Sequence, residues 1–329
     1  MRNKLLLVVF IFCTWISAAS AKDLKVLMIG NSFSNSVGTY LPSLVRAYPE
    51  HSLELTNAFI GGCPLDKHVK NIKLAQKNPK KGLYKITVWN SSKIDAPEIY
   101  YGNLIDLLKK QTYDIVSIQQ GSAKSWDWKS YEPYAGELIS FIRECQPNAE
   151  IVVHQTWSYR VDAPRYKDFK FGQTKMYDLL HDAYDKLAEK YKLRVIPMGD
   201  SVQLFRKYTP VKFEPSSGTF EYPKVPSSKG DVVGSARWVK PRAKGKDKAR
   251  NKKNSQEAKK LQLDRIHLNS DGRYLQACVW FSVLYDEPAD KITWVPEGMP
   301  QDFAVLLRKC AKQAVESYVQ VTGKKRKSE

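Results

Sequence analysis

Five short apolar runs, each followed by a segment of different character, constrain the fold of this chain most strongly. The runs are LKVLMIG (24–30), SLELTNA (52–58), YDIVSIQ (113–119), AEIVVHQ (149–155) and KLRVIPM (192–198). Near-continuous apolar runs are typical of strands that are covered on both faces, and their alternation with helices predicts right-handed βαβ crossovers. The sequence therefore predicts an α/β fold with a five-stranded parallel sheet, and functional residues at the carboxyl ends of its strands.

Helical periodicity between and after these runs completes the pattern. It is clearest at 38–48, 99–111, 131–146, 173–191, 271–286 and 301–320. The stretch 79–97 is expected to form a small hairpin beside the main sheet, and 210–262 is expected to be irregular. Because the sequence contains no internal repeat, it predicts one domain with an insertion rather than two domains.

The N-terminal residues have the pattern of a targeting signal. A basic start precedes the apolar run 5–16, and the small-residue pattern ASA follows at 19–21. This order is typical of a secretory signal peptide, because the apolar part is too short for a comfortable membrane span. We therefore expect cleavage of 1–21, a secreted or periplasmic domain at 22–329, and no membrane span.

Basic residues are concentrated in one stretch of an already basic chain. The formal net charge is +19, and thirteen Lys or Arg residues stand against three Asp or Glu between Lys224 and Lys260. The stretch is poor in large apolar residues, which favours a solvated, mobile insertion at about 223–262. The alternative is an insertion that holds an anionic polymer. For an exported chain, a sulfated or uronic polysaccharide is then a better candidate than nucleic acid.

The cysteine spacing argues against a metal site. Cys63, Cys145, Cys278 and Cys310 follow the signal peptide, and no pair of them has the C-x-x-C spacing of zinc or thioredoxin-like sites. Export permits disulfides, but free buried thiols are an equal alternative. We expect no metal and no organic cofactor.

The stretch MIGNSFS at 28–34 contains a serine where the first strand ends and a helix begins. Glycine, asparagine and serine at such a junction can form a turn and cap the helix. The same position carries the nucleophile in α/β hydrolytic enzymes. A serine hydroxyl is a poor nucleophile alone, so Ser32 needs a base, and the base needs an orienting acid.

Among the five histidines, His267 has the surroundings that best fit such a base. It lies in LDRIHLNSDGRYLQA, in a predicted loop directly before a helix, with Asp264 three residues earlier. At this spacing the Asp264 carboxylate can reach Nδ1 of the imidazole and fix the tautomer in which Nε2 accepts the serine proton. His154, at the end of the fourth strand, is expected to be packed. Asp271, with Ser270, is expected to cap the following helix.

The motifs GNSFS at 30–34 and DRIH at 264–267 resemble those of SGNH (GDSL-type) hydrolases, and the resemblance covers nearly the whole chain after the signal peptide. In that family a serine follows the first strand, and a D-x-x-H arrangement lies near the C-terminus. Asn31 replaces the aspartate of the usual Gly-Asp-Ser. The resemblance implies a flavodoxin-like three-layer α/β/α sandwich with a catalytic triad of Ser32, His267 and Asp264.

The resemblance also implies an oxyanion hole. The Ser32 N–H is one donor by position, and the family's glycine after the second strand corresponds to Gly61 or Gly62, of which we favour Gly62. The third block departs from the family, because the chain reads SIQQGSAKSW in place of G-x-N-D. A DUF4886-like branch with similar IGNSFS and LQ motifs shows a similar substitution. Gln119, with Gln120 as the alternative, is therefore the expected third donor.

The expected substrate is a carbohydrate ester. Aromatic residues follow the third and fourth strands, where they can stack on sugar C–H surfaces, although ordinary packing is the alternative. The candidate substrate contacts are Trp126, Trp157, Tyr159 and His68. The sequence thus predicts a secreted serine esterase that removes an acyl group, first of all acetyl, from a polysaccharide. The alternatives are a lipid or aryl esterase and a non-catalytic carbohydrate-binding protein on a hydrolase scaffold.

Overall fold

The computed structural model of the chain describes residues 21–240 and 259–321. The predicted signal peptide therefore lies outside the described residues, apart from its last position. The basic insertion is described only at its two ends. In the described part of the chain, no helix combines the length and the apolar character that a membrane span requires.

The central sheet is mixed. Its strands are β1 (Lys22–Gly30), β2 (His51–Phe59), β3 (Tyr84–Asn90), β4 (Glu98–Gly102), β5 (Ile115–Ile118), β6 (Glu150–His154) and β7 (Arg194–Ile196). They form a seven-stranded sheet in the order β4-β3-β2-β1-β5-β6-β7. The five strands from β2 to β7 in this order run parallel to one another. Strand β3 pairs in antiparallel fashion with both of its neighbours, β2 and β4. All five predicted strands are present, but the sheet is larger than predicted, since the hairpin expected at 79–97 joins it through β3 and β4.

Helices cover both faces of this sheet. They are α1 (Ser32–Asn35), α2 (Leu41–Arg46), α3 (Leu65–Lys77), α4 (Leu104–Lys110), α5 (Tyr134–Cys145), α6 (Arg165–Phe169), α7 (Gln173–Tyr191), α8 (Met198–Tyr208), α9 (Ser270–Tyr285) and α10 (Gln301–Val321). Helices α3, α4 and α5 contact one another, whereas α9 contacts α2, α8 and α10. Because β2 and β5 lie on opposite sides of β1, right-handed crossovers place these two groups on opposite faces.

Helix α9 is the most buried helix of its layer. Its residues 274–285 are all buried. A helix that is buried on every side lies inside a protein, and α9 packs between α2, α8 and α10. Its N-terminal cap is Asn269, which accepts the Gly272 N–H at 3.0 Å. The cap predicted at Asp271 is therefore wrong by two residues.

A separate hairpin precedes α9. Strand β8 (Val233–Val239) pairs in antiparallel fashion with β9 (Lys260–Leu268). Two expectations change as a result: 210–262 is not irregular throughout, and His267 lies in a strand rather than in a loop. The positions 241–258, the middle of the basic insertion, lie outside the described residues, and the predicted mobility and polymer binding of the insertion stay predictions.

The structure decides between the two alternatives for the cysteines. Free thiols are found at Cys63, Cys145, Cys278 and Cys310. Burial raises the pKa of the three buried thiols, all except Cys145, to about 12. These three side chains therefore stay protonated and pack as small apolar groups.

A cluster of titratable groups joins α7 to α8 and α10. The His181 Nδ1 lies 2.9 Å from Asp200 Oδ1, and its Nε2 lies 3.3 Å from Asp185 Oδ2. Tyr177 donates to Asp200, and Tyr318 donates to Asp185. The hydrogen bond to Asp200, opposed by burial and aided by the neighbouring carboxylate charges, raises the pKa of His181 to about 9. Burial raises the pKa of Tyr177 and of Tyr318 well above the usual value for tyrosine, so both stay protonated while His181 titrates.

This cluster predicts a loss of stability at alkaline pH. Because the folded state binds the His181 proton more tightly than the unfolded state, its stabilisation is complete below about pH 6.5 and declines as the pH approaches 9. Urea unfolding at these two pH values should show a smaller decline for His181→Gln than for the wild type. Equal declines in the two proteins would contradict the assignment.

Candidate active site

The site begins where β1 ends. Asn31 caps α1, since its Oδ1 accepts the Phe33 N–H at 3.1 Å. A Cβ atom at Gly30 would lie 2.5 Å from Ser34 Oγ, so a larger residue here would displace the Ser34 side chain. The transition leaves Ser32 half-buried at the carboxyl edge of the sheet.

Ser32, His267 and Asp264 form a continuous hydrogen-bonded chain. Ser32 Oγ lies 2.8 Å from His267 Nε2, and His267 Nδ1 lies 2.7 Å from Asp264 Oδ2. The second oxygen of Asp264 accepts the backbone N–H groups of Ile266 and His267, both at 2.9 Å. Since the carboxylate accepts the Nδ1 proton, the Nε2 lone pair faces the Ser32 hydroxyl. The imidazole is thus placed to take the proton of Ser32.

The electrostatics of Asp264 suit this arrangement. Burial disfavours its charge, but hydrogen bonds from the His267 ring and from the N–H groups of His267 and Ile266 outweigh burial and hold the pKa of Asp264 well below its usual range. The Asp264 carboxylate is therefore ionised at neutral pH and can stabilise an imidazolium. The His267 side chain is 40% exposed, which leaves it open to a substrate.

Two stacked aromatic rings support His267. The Phe33 ring meets the imidazole edge-on at 5.7 Å and stacks on Trp157, with 3.9 Å between ring centres. Trp157 is fully buried, and its Nε1 donates to the Ile266 carbonyl at 2.9 Å. The structure therefore corrects the prediction that Trp157 contacts substrate: it holds the backbone beside His267 instead.

The other predicted aromatic contacts are also engaged in packing. Tyr159 is 1% exposed, and its hydroxyl donates to Ser122 Oγ at 3.0 Å. Trp126 is half-buried against Phe169 and Phe171. Stacking of a sugar on Tyr159 is therefore wrong as a prediction. Trp126 is only half-buried, and its contact with substrate stays a prediction.

His68 lies inside the protein as well. It is fully buried, with Nδ1 2.9 Å from the Tyr84 hydroxyl and 3.6 Å from Cys63 Sγ. Burial lowers the pKa of His68 to about 3. The ring is therefore neutral and packed, and the structure corrects its prediction as a substrate contact.

The turn that follows β2 lies beside Ser32. Strands β1 and β2 pair to their last residues, and Asn31 Nδ2 donates to the Cys63 carbonyl at 3.1 Å. Gly61 and Gly62 in this turn are exposed, and Gly62 has a φ of +61°, a conformation that favours glycine. Among the described residues, neither glycine N–H has a hydrogen-bond partner. The structure thus brings both predicted oxyanion donors close to the end of β1.

Gln119 and Gln120 do not have the predicted role. Gln119 is 1% exposed, its Nε2 donates to Asn31 Oδ1 at 2.8 Å, and its Oε1 lies 2.8 Å from His154 Nδ1. Gln120 is fully buried and bonds backbone groups of the surrounding loops. Both amides are therefore satisfied within the protein. This differs from the expectation that one of them donates to an oxyanion beside Ser32.

Sequence reasoning missed the buried polar chain of which Gln119 is the centre. It runs from Asn31 through Gln119 to His154, whose Nε2 lies 3.3 Å from Gln276 Nε2. The same Gln276 amide donates to the Phe33 carbonyl at 3.0 Å. Burial lowers the pKa of His154 to about 3, so its neutral ring donates from Nδ1 and accepts at Nε2. The available signal was a polar residue at the carboxyl end of three neighbouring buried strands.

Because of this buried hydrogen-bond network, a single-atom change at Asn31 should lower the stability of the fold. In Asn31→Asp a carboxylate oxygen replaces the Nδ2 donor that faces the Cys63 carbonyl, in a side chain that is 1% exposed. We expect urea unfolding to show a loss of about 1–3 kcal/mol. Asn35→Asp is the control, because Asn35 is exposed and its Oδ1 accepts from Asn57, so it should change stability by less than about 0.5 kcal/mol. Similar losses in both variants would contradict the role of Asn31.

A polar cleft of about 430 Å³ opens at the triad. Its walls come from 32–39, from the β8–β9 hairpin and from the start of α9. Leu268 is the one apolar residue among the described side chains that line it. The hairpin, whose strand β8 lies within the stretch expected to be irregular, therefore forms one wall of the candidate site.

A group that could hold a metal ion lies elsewhere. Within 21–240 and 259–321, the one group with suitable spacing is Glu50, His51 and Glu287. His51 is the first residue of β2, so the group lies at the edge of the sheet opposite to Ser32. The triad shares no residue with it.

Comparisons with known proteins found one family model and several solved structures that are similar to this chain. The family model called Domain of unknown function (DUF4886) matches residues 25–213. The crystal structure of a DUF4886 family protein from Bacteroides uniformis is 27% identical, with a TM-score of 0.68 over 90% of this chain and 95% of that chain. A mutant of an acetyl-xylooligosaccharide esterase from Geobacillus is 15% identical, with a TM-score of 0.41 over 78% of this chain and 92% of that chain.

A further structure has a similar level of likeness. It comes from Slackia heliotrinireducens, its description proposes an SGNH hydrolase, and it is 15% identical, with a TM-score of 0.45 over 80% of this chain and all of that chain. No curated protein matches. Since the family model spans more than half of the sequence, and the Bacteroides uniformis structure matches nearly all of it, this chain belongs to the DUF4886 family.

Proposed function

We propose that this protein is a serine esterase that removes acyl groups, first of all acetyl, from an exported polysaccharide. The observation that carries the proposal is the chain of hydrogen bonds from Ser32 Oγ to His267 Nε2 at 2.8 Å and from His267 Nδ1 to Asp264 at 2.7 Å. Nucleophile, base and orienting acid are the three parts that acyl transfer by serine requires.

The first half-reaction forms an acyl-enzyme. Ser32 Oγ attacks the ester carbonyl carbon while its proton moves to His267 Nε2, and Asp264 stabilises the imidazolium. The developing oxyanion accepts the Ser32 N–H, which has no intrahelical acceptor at the first residue of α1, and the N–H of Gly62 or Gly61. The bond between the carbonyl carbon and the sugar oxygen then breaks, and His267 protonates that oxygen.

The second half-reaction releases the acid. A water molecule gives its proton to His267 Nε2 and attacks the acyl carbon, so that a second oxyanion forms in the same hole. The bond to Ser32 Oγ then breaks, and His267 returns the proton to that oxygen. The products are a free sugar hydroxyl, a carboxylic acid and the original enzyme, so the atoms and protons of the cycle balance.

The cleft favours a sugar over the alternative substrates. A lipid esterase needs an apolar channel for the acyl chain, whereas the described lining of this cleft is polar or charged except for Leu268. Hydroxyl groups of Ser36 and Thr39 and the amide of Gln262 lie in its walls. A binding protein without turnover has no use for a complete Ser-His-Asp chain. The proposed signal peptide at 1–21 would bring the domain to exported glycans.

The proposal is tested by acetate release. Protein comprising residues 22–329 is incubated with acetylated xylan and, separately, with p-nitrophenyl acetate, and binding and hydrolysis are measured together. Acetate released by the wild type and not by Ser32→Ala supports the proposal. Wild-type protein that binds a glycan and hydrolyses neither ester would overturn it.

A further inference from the structure

Two arginine side chains line the cleft beside Ser32, and neither has a carboxylate partner in the described part of the chain. The Nε atom of Arg273 is buried and has no hydrogen-bond partner there. Arg237 donates from Nε to the neutral amide of Gln262 at 3.1 Å. These two cations are therefore held at the site without an internal counter-charge.

Other arginines near this end of the molecule show a different pattern. Arg160 and Arg265 both bind Asp162 at 2.7 Å, and Arg206 binds Asp231 at 3.1 Å. The fold thus provides an acid for each of these arginines and provides none for the two in the cleft. Arg237 is exposed, but the buried Nε–H of Arg273 lacks a partner, which is unfavourable, so an external anion is the natural ligand there.

Two separate elements direct the arginines to the cleft. In the β8–β9 hairpin, Ser235 lies opposite Asp264 and Arg237 lies opposite Gln262. Because alternate residues of a strand share a face, Arg237 lies on the same face as the triad carboxylate. Arg273 approaches from the start of α9, the helix that follows His267 in sequence.

The cleft therefore carries an excess of positive charge. Among its described lining residues Asp264 is the one carboxylate, and it already accepts hydrogen bonds from the His267 ring and from two backbone N–H groups. Asp264 forms no ion pair with either arginine in the described structure, and its one negative charge stands against two positive charges. A planar guanidinium forms paired, charge-assisted hydrogen bonds with oxyanions such as carboxylates.

We propose that Arg273 and Arg237 bind an acidic group, a carboxylate or a sulfate, on the sugar that carries the ester. This inference rests on the proposed esterase function and narrows its substrates to esters of acidic glycans. The anion lies at the arginines while the ester carbonyl lies at Ser32, so the acidic group orients the substrate for attack.

The test uses two sugars that differ in one group. An O-acetylated methyl galacturonoside carries a carboxylate where the corresponding O-acetylated methyl galactoside carries a neutral hydroxymethyl group. We expect the wild type to prefer the acidic sugar by about 10-fold or more in kcat/KM, and Arg273→Gln to reduce this preference by about 10–100-fold. Arg273→Lys should retain part of it, since the charge stays and the paired geometry is lost.

Controls separate this inference from the proposed function. Lys110→Gln removes a charge at the end of α4, at the opposite edge of the sheet, and should leave the preference unchanged. Thermal unfolding of each variant checks its fold. Comparison of a sulfated O-acetylated galactoside with the galacturonoside shows whether sulfate or carboxylate is the preferred anion.

Three outcomes bear on the inference in different ways. Equal kcat/KM for acidic and neutral sugars, with hydrolysis of p-nitrophenyl acetate intact, overturns this inference and leaves the proposed function standing. An Arg273→Gln variant that keeps the full acidic preference also overturns it. A wild type inactive on p-nitrophenyl acetate and on both acetylated sugars overturns the proposed function as well.

Discussion

Replacement of Ser32 by alanine should lower kcat for ester hydrolysis by about 10⁴–10⁶-fold. The change removes the attacking oxygen, and the oxyanion hole and the cleft can supply only the residual rate. Since the Ser32 hydroxyl bonds His267 and no buried backbone group, the fold should be unaffected. Steady-state kinetics on p-nitrophenyl acetate, with a thermal unfolding curve for each protein, measure both effects.

Ser36→Ala is the matched control for that experiment. Ser36 lines the same cleft, and its hydroxyl donates to Gln276 Oε1 at 2.7 Å or to the Phe33 carbonyl at 2.9 Å, and not to a triad residue. We expect less than about a 10-fold loss from this change, which removes one hydrogen bond. A Ser32→Ala protein that keeps a tenth of the wild-type rate would contradict the assignment of the nucleophile.

Replacement of Asp264 by asparagine should lower kcat by about 10³–10⁴-fold. The asparagine carbonyl can still accept the N–H groups of Ile266 and His267, so the strand end keeps its conformation. The amide NH₂ then faces Nδ1, which forces the imidazole proton onto Nε2. In that tautomer His267 cannot accept the Ser32 proton.

Asp271→Asn provides the control for charge near the site. Asp271 lies in the first turn of α9, close in sequence to His267, and burial raises its pKa. It makes no hydrogen bond to the imidazole in the described structure. We expect its replacement to change kcat by less than about 10-fold, because it removes no contact of the triad. Equal losses of kcat in Asp264→Asn and Asp271→Asn would show that negative charge near the site, and not the tautomer of His267, controls the rate.

The parallel strands could be predicted because both of their faces are buried. Their apolar runs are nearly continuous, which is a strong local signal. Strand β4 lacks this signal: it is an edge strand whose Ile99 and Tyr101 are 54% and 72% exposed. The apolar residues of β4 continue the helical spacing of those in α4. The sequence therefore predicted a single helix over 99–111.

The three residues of the hydrogen-bonded chain could also be predicted, since each lies in a short local motif. GNSFS sets the turn around Ser32, and the spacing of Asp264 and His267 places the carboxylate on the ring. Their approach across the molecule was expected from the resemblance to SGNH hydrolases and not from strand order, since Asp264 and His267 lie in β9, outside the central sheet. The catalytic roles themselves stay proposals.

Side-chain direction in the loops could not be predicted. Trp157 and Tyr159 follow β6 at the correct edge of the sheet, but both turn inward and are at most 1% exposed. Gln119 likewise lies at the correct edge, but its amide is hydrogen-bonded to Asn31 and His154. Sequence position assigns a residue to an edge, whereas hydrogen-bond partners from distant segments decide which way its side chain points.

The most direct test of the central claim is covalent labelling of the nucleophile. The protein is treated with a fluorophosphonate ester and digested with trypsin, and mass spectrometry examines the peptide that spans residues 26–46. The account predicts one adduct at Ser32, absent from Ser32→Ala and formed far more slowly in His267→Ala. A wild-type protein without an adduct at Ser32, or one labelled equally fast without His267, would contradict it.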